Sequence, residues 1–152
     1  MRELASTVRS RRSDGDGAQL TVVLDASALL ALHVESPSRP VVLAAMESDT
    51  RWCACALALP EAVAAASRLT DEPVLAAAIE DAVRRTWDFL HVVPADRSLL
   101  DDAAALVAQQ PVGVSAALHL VAASRLPRPV RFVTFDPARI PVALSLGFDV
   151  VS

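Results

Sequence analysis

The sequence is poor in several features, and each shortage excludes a class of protein. It has four glycines and no glycine-rich phosphate loop, which argues against a nucleotide-binding or response-regulator domain. No apolar run reaches the ~18 to 20 residues of a membrane helix without a charge or a proline. The two cysteines, Cys53 and Cys55, have no second pair to complete a zinc site. We therefore expect no membrane span, and buried free thiols in a reducing cytoplasm.

Lysine is also absent, so all 14 positive charges are arginines, and the net charge is −4. This balance argues against broad, sequence-blind binding of nucleic acid, which depends on many contacts to phosphates. A nucleic-acid substrate would have to be held locally, by a metal ion and a few arginines. Candidates for such contacts are Arg68, Arg125, Arg128 and Arg131, although a solvated surface position is the simpler interpretation of each.

The 152 residues suit one domain. Residues 1–20 contain several arginines but no apolar segment of a secretory signal, and we predict a mobile tail there. Residues 21–152 form the predicted domain. It opens with Thr21 to Leu32, in which a valine-rich run typical of a buried parallel strand ends in Asp25 and turns into a short helix. Strands and helices then alternate to the end of the chain, which predicts an α/β fold with a mostly parallel sheet and helices on both faces.

Three carboxylates share one context in this pattern. Asp25 ends the first strand, Glu61 lies in the first helical turn after the second, and Asp136 ends the fourth. Each also has an ordinary interpretation: Asp136 before a proline suits a helix cap, and Glu61 complements a helix dipole. Asp25 is harder to explain in this way, because a charge that closes an apolar strand needs hydrogen bonds, solvent or a cation.

Such positions converge at one edge of a parallel sheet. Three acids brought together there would repel one another unless a cation lay among them. Their hard oxygen ligands, without a partner Cys or His motif, favour Mg²⁺ or Mn²⁺ over zinc. An ion of this kind can activate water against a phosphodiester.

The chain from Thr21 to Val151 resembles the PIN-domain proteins, and among them the VapC-type toxins of bacterial toxin–antitoxin pairs. The resemblance lies in the order and spacing of five stretches: VVLDASALLAL, ALPEAVAAASRL, HVVPADRSLLDDAAAL, SAALHLVAA and RFVTFDPARIPVALSLGFDVV. It implies a three-layer PIN-like fold and a homodimer. It also implies a Mg²⁺-dependent endoribonuclease held in check by a small VapB-like antitoxin.

The resemblance also assigns site residues. Asp25, Glu61 and Asp136 match acidic metal-site positions, and Ser27 matches a hydroxyl that supports the first aspartate. The chain departs from the family at Ala116, which stands where a fourth acid is expected. No acid between Asp102 and Asp136 can substitute for it. The absence of an acid at position 116 is compatible with a natural degenerate member of the family or with a deliberate replacement of the aspartate.

The expected function is thus a cytoplasmic, metal-dependent ribonuclease toxin that is weakened or inactive because Ala116 cannot ligate. The alternative is a non-catalytic PIN-like dimer that binds RNA or an antitoxin. His119 lies one helical turn from Ala116, where it could approach the site, although a packed or capping histidine is the favoured interpretation. Ser115 is predicted to cap the helix that follows it.

Overall fold

A computed structural model describes residues 19–49 and 51–152 of the chain. The predicted tail, residues 1–20, lies almost wholly outside the described residues. Seven α-helices and five strands are present in the described part. The strands are β1 (Thr21–Leu24), β2 (Arg51–Cys55), β3 (His91–Val93), β4 (Val130–Val133) and β5 (Asp149–Val151). The helices are α1 (Ala26–Ala31), α2 (Ser38–Glu47), α3 (Ala58–Leu69), α4 (Pro73–Trp87), α5 (Arg97–Gln109), α6 (Val114–Ser124) and α7 (Ile140–Ser145), with a 3-10 helix at Pro137–Arg139 before α7.

The five strands form one sheet in the order β3-β2-β1-β4-β5, and every pairing is parallel. The predicted α/β class with a parallel sheet is therefore confirmed. Strand β1 is central, with β2 on one side and β4 on the other. The chain moves from β1 toward one edge and later returns to the other, so the carboxyl end of β1 is the switch point where ligand sites of such sheets form.

The sheet has a hydrophobic core on each face, as a three-layer fold requires. Val22 and Leu24 point to the layer of α1 to α4, and Val23 points to the layer of α5 to α7. This alternation follows from the period of two along a strand. Because both faces are covered, β1 is apolar from Val22 to Leu24, and the next polar side chain is that of Asp25.

The elements agree with the sequence pattern at several termini and differ at one. Asp136 caps the 3-10 helix through a hydrogen bond from the Ala138 N–H at 3.0 Å, as predicted. Gly147 has a φ of 85°, a value that favours glycine, where the last helix gives way to β5. The predicted cap at Ser115 is wrong, because α6 begins at Val114 and Gly113 is its N-cap residue.

Two predictions about covalent state and membrane spans can be compared with the fold. Cys53 and Cys55 are both free and buried, as expected. Within the described ranges, no single helix has the length and apolarity to cross a membrane. Helices α5 and α6 together would satisfy those two criteria, but they meet at a bend of 118°.

Candidate functional site

Asp25 is held at the carboxyl end of β1 by four donors. It is the N-cap residue of α1, and its Oδ1 accepts from the Ala28 N–H at 3.0 Å and from the Ser27 hydroxyl at 2.5 Å. Its Oδ2 accepts from the Thr134 hydroxyl at 2.5 Å and from Arg139 Nη1 at 3.1 Å. The side chain is 0% exposed. A buried carboxylate is tolerated here because all of its lone-pair directions are used.

The two hydroxyls that donate to Asp25 also connect this carboxylate to the loop after β4. The Ser27 hydroxyl accepts from the Phe135 N–H at 2.9 Å, and the Thr134 hydroxyl accepts from the Asp136 N–H at 3.1 Å. Each hydroxyl therefore acts as donor to the carboxylate and acceptor from the loop. This network fixes the position of Asp136 relative to Asp25.

Arg139 lies between the acids. It follows Asp136 by one turn, at the end of the 3-10 helix, and its side chain is 10% exposed. Nη1 contacts Asp25, Nη2 donates to the Ser115 hydroxyl at 3.0 Å, and Nε lies 3.4 Å from Asp136 Oδ2. Nε has no partner with hydrogen-bond geometry in the part of the chain that the structure describes. One guanidinium thus touches two of the three predicted acids directly.

Glu61 joins the same network from α3. Its two oxygens accept from the Ser115 hydroxyl at 2.9 and 3.0 Å, and Oε2 lies 3.3 Å from His119 Nε2. Since a carboxylate only accepts, Nε2 is the donor. This hydrogen bond from His119 is the largest cause of a lowered pKa at Glu61. The electrostatic interaction with His119, the hydrogen bond from Ser115 and the charge of Arg139 also lower this pKa, whereas burial raises it.

A chain of contacts therefore runs from Asp25 through Arg139 and Ser115 to Glu61 and His119. The three acids predicted from sequence meet at the switch point, as expected for positions after β1, β2 and β4. They meet around Arg139. His119 is both fully buried and in contact with Glu61, so the packed interpretation and the approach to the site are both correct.

Glu61 and Asp136, but not the fully buried Asp25, line a groove of about 650 Å³ between α1 and α3. Apolar side chains form most of its walls, and its polar lining includes Glu61, Arg68, Asp136 and Arg139. Arg68 is the one of the four predicted phosphate-contacting arginines that lines it. The other three pair elsewhere: Arg125 with Asp96 and Asp102, Arg131 with Asp149, and Arg128 with the Leu146 carbonyl.

The residues of the site do not fit a divalent ion in this arrangement. Mg²⁺ and Mn²⁺ need several oxygen ligands with free lone pairs. Both oxygens of Asp25 already accept two hydrogen bonds each, and a guanidinium lies beside Asp136. Among residues 19–49 and 51–152, no group of three or more His, Cys, Asp or Glu side chains could hold one metal ion.

Ala116 lies on α6 next to Ser115 and is almost fully buried. It presents a methyl group where the family resemblance expects a carboxylate, so the helix contributes a hydroxyl and an imidazole to the site but no acid. Both of these contact Glu61.

Comparison with known proteins identifies the fold. The sequence matches the family described as PIN domain over residues 22–138, which is most of the chain. The chain therefore belongs to the PIN-domain family. No curated protein sequence matches it.

Solved structures agree with the fold at low sequence identity. A chain of FitAcB from Neisseria gonorrhoeae is similar with a TM-score of 0.66 and 11% identity, over 87% of this chain and 97% of that one. A chain of a toxin–antitoxin complex from Klebsiella pneumoniae has a TM-score of 0.62 and 15% identity, over 87% and 97%. A chain of FitAB bound to an IR36 DNA fragment has a TM-score of 0.63 and 12% identity, over 86% and 93%.

Three site residues escaped the sequence analysis: Thr134, Ser115 as a partner of Glu61, and Arg139. Thr134 has a detectable signal, since it is a polar residue at the end of an apolar strand, two positions before Asp136. Arg139 also has one, because it lies one helical turn after an acid. Nothing in the local sequence indicates that its guanidinium reaches Asp25, which is 114 positions away.

Proposed function

We propose that this chain is the toxin-type component of a toxin–antitoxin pair, and that its reaction is endonucleolytic cleavage of RNA. Asp25, Glu61 and Asp136 are the acids of that reaction centre, Ser27 supports Asp25, and Mg²⁺ or Mn²⁺ is the ion that a working form of the site requires. Cleavage by this sequence is weak or absent, because Ala116 replaces a ligand and Arg139 holds Asp25.

The observation that carries the proposal is the meeting of three acids from separate parts of the chain at the switch point of a PIN fold. A structural role alone would explain Asp136 as a cap and Glu61 as a dipole partner. It would not explain why the guanidinium that contacts Asp25 also contacts Asp136 and reaches Glu61 through the Ser115 hydroxyl. The open groove beside them, with Arg68 on its wall, offers room for an extended single strand.

The proposed partners follow from the family resemblance and from the solved relatives. A toxin–antitoxin complex and FitAB are among the similar structures, which supports a small VapB-like antitoxin as partner. The same resemblance supports a homodimer and a location in the cytoplasm. These assignments are part of the proposal.

A second function is favoured by one specific contact, the ion pair between Asp25 and Arg139. With Asp25 fully hydrogen-bonded, the chain could act as a non-catalytic PIN-like dimer that binds RNA or an antitoxin without cutting. The two functions predict different results when an acid is placed at position 116 and Arg139 is removed. The ribonuclease should then cleave RNA, whereas the binding protein should not.

Cleavage of a labelled RNA pool with Mn²⁺ separates them. We compare the wild type with Ala116→Asp and with Ala116→Asp/Arg139→Gln, and we add Asp25→Asn to the double variant as the control. The ribonuclease proposal predicts cleavage that rises from wild type to double variant and disappears with Asp25→Asn. Unchanged RNA in all four samples, together with retained RNA binding, would support the non-catalytic function instead.

A further inference from the structure

We propose that the guanidinium of Arg139 is the fixed counter-cation of the acidic site and takes the place that a divalent ion would occupy. Wild-type protein then leaves Mg²⁺ and Mn²⁺ unbound at Asp25. This inference deepens the proposed function and rests on its choice of Asp25, Glu61 and Asp136 as the acids of the site. It does not depend on RNA being the substrate.

The first argument is the geometry of the guanidinium. Its three nitrogens face three different partners, namely Asp25 at 3.1 Å, Ser115 at 3.0 Å and Asp136 at 3.4 Å. Ser115 in turn donates to Glu61. A single positive group is thus connected to all three acids, directly or through one hydroxyl, as a bound cation would be.

The second argument is burial. Asp25 has no exposed side-chain surface and Arg139 has 10%. If the guanidinium moved into solvent, Asp25 would remain as an uncompensated buried charge, which is strongly unfavourable. The pair is therefore a lasting feature of the fold.

The third argument is that the arginine and a metal ion exclude each other. Asp25 has no free lone pair to offer, and a divalent cation beside the guanidinium would be repelled by it. The substitution at Ala116 acts in the same direction. Because position 116 carries no carboxylate, the site has less negative charge, and the single positive charge of Arg139 neutralises a larger share of it. The missing acid at position 116 and the guanidinium of Arg139 both favour an internal ion pair over a metal site.

The test is calorimetric titration of MnCl₂ into the full chain, without RNA. The samples are the wild type, Asp25→Asn, Arg139→Gln, Ala116→Asp/Arg139→Gln, and the double variant with Asp25→Asn. Arg139→Lys retains the positive charge, and Arg131→Gln removes an arginine whose ion pair with Asp149 lies outside the site. Thermal unfolding with and without Mn²⁺ accompanies each titration.

The double variant should bind Mn²⁺ at least about ten-fold more tightly than the wild type, and Asp25→Asn should abolish the gain. Arg139→Lys and Arg131→Gln should behave as the wild type does. Mn²⁺ should raise the unfolding midpoint of the double variant and leave that of the wild type, Arg139→Lys and Arg131→Gln unchanged. This second readout remains valid if the double variant folds only with metal, because ligand binding then drives folding.

Two results would overturn the inference. One is wild-type binding of Mn²⁺ as tight as that of the double variant and lost with Asp25→Asn. The other is a double variant that neither binds Mn²⁺ nor gains stability from it. Both are independent of RNA cleavage, so a failure here and a failure of the proposed ribonuclease function can be told apart.

Discussion

Arg139 Nη1 lies 3.1 Å from Asp25 Oδ2, and this contact joins the end of the central strand to the 3-10 helix after β4. Sequence separates the two residues by 114 positions. Because the pair is buried in the fold and also forms part of the acidic site, the stability of the domain depends on whether this ion pair is intact. Changes at either residue should therefore be measurable without any substrate.

The first prediction concerns the energy of this pair. Arg139→Gln should lower the free energy of unfolding by about 3–5 kcal/mol, because it leaves a buried carboxylate unpaired. Urea denaturation measures the change. Asp25→Asn/Arg139→Gln should cost less than the sum of the two single substitutions, since the unpaired charge is then removed.

Arg131→Gln is the matched control for this prediction. Arg131 pairs with Asp149, and both side chains are partly exposed. Its loss should cost about 0–1 kcal/mol, as is usual for surface pairs. Equal losses from Arg139→Gln and Arg131→Gln would mean that the Asp25 pair has no special role.

The second prediction concerns Ser115, whose hydroxyl accepts from Arg139 and donates to Glu61. Ser115→Ala should destabilise the protein by about 1–3 kcal/mol, because two partly buried groups lose a hydrogen-bond partner. The control is Ser124→Ala on the same helix, where the hydroxyl bonds back to the Leu120 carbonyl. Such back-bonding contributes little or is slightly unfavourable. If both variants unfold at the same denaturant concentration, the bridge is not stabilising.

The sequence predicted the meeting of the acids and a cation among them, but it predicted a divalent metal ion and not Arg139. Asp25, Glu61 and Asp136 follow three strands, and the rule that strand ends of a parallel sheet share an edge places them together. Arg139 has no equivalent rule, because its partner is fixed by the tertiary fold. The error at Ser115 has the same origin: local propensity favours a cap, whereas the hydroxyl is used across the fold by Glu61.

The third prediction concerns the two buried cysteines. Burial is the main cause that raises the pKa of the Cys53 thiol and of the Cys55 thiol. Both should therefore remain protonated and enclosed at neutral pH, and a thiol reagent should label neither in the native protein. Addition of denaturant should expose both to rapid labelling. Rapid reaction of native protein would contradict the packing of β2.

The fourth prediction is a pH dependence at Asp96, the N-cap residue of α5. The hydrogen bond from the Leu99 N–H, with help from Arg125, lowers the pKa of Asp96 below its usual 3.8. A carboxylate with a lowered pKa adds stability above its unfolded value, and this stability is lost as pH falls through the folded value. Asp96→Ala should therefore lower the unfolding temperature near neutral pH, and the difference from wild type should shrink below about pH 3.8.

Asp101→Ala is the control for the pH experiment. Asp101 is exposed on the same helix and is not its cap. The unfolding temperature of this variant should follow that of the wild type across the whole pH range. If Asp96→Ala does the same, Asp96 does not stabilise α5 through its charge.

Anomalous diffraction from crystals soaked in MnCl₂ tests most directly whether Arg139 occupies the cation position. We predict no manganese peak within bonding distance of Asp25 in the wild type, where the guanidinium stays on the carboxylate. A peak bound by Asp25 should be present in Ala116→Asp/Arg139→Gln. A manganese ion on Asp25 in wild-type crystals, with Arg139 displaced or alongside, would contradict the central claim.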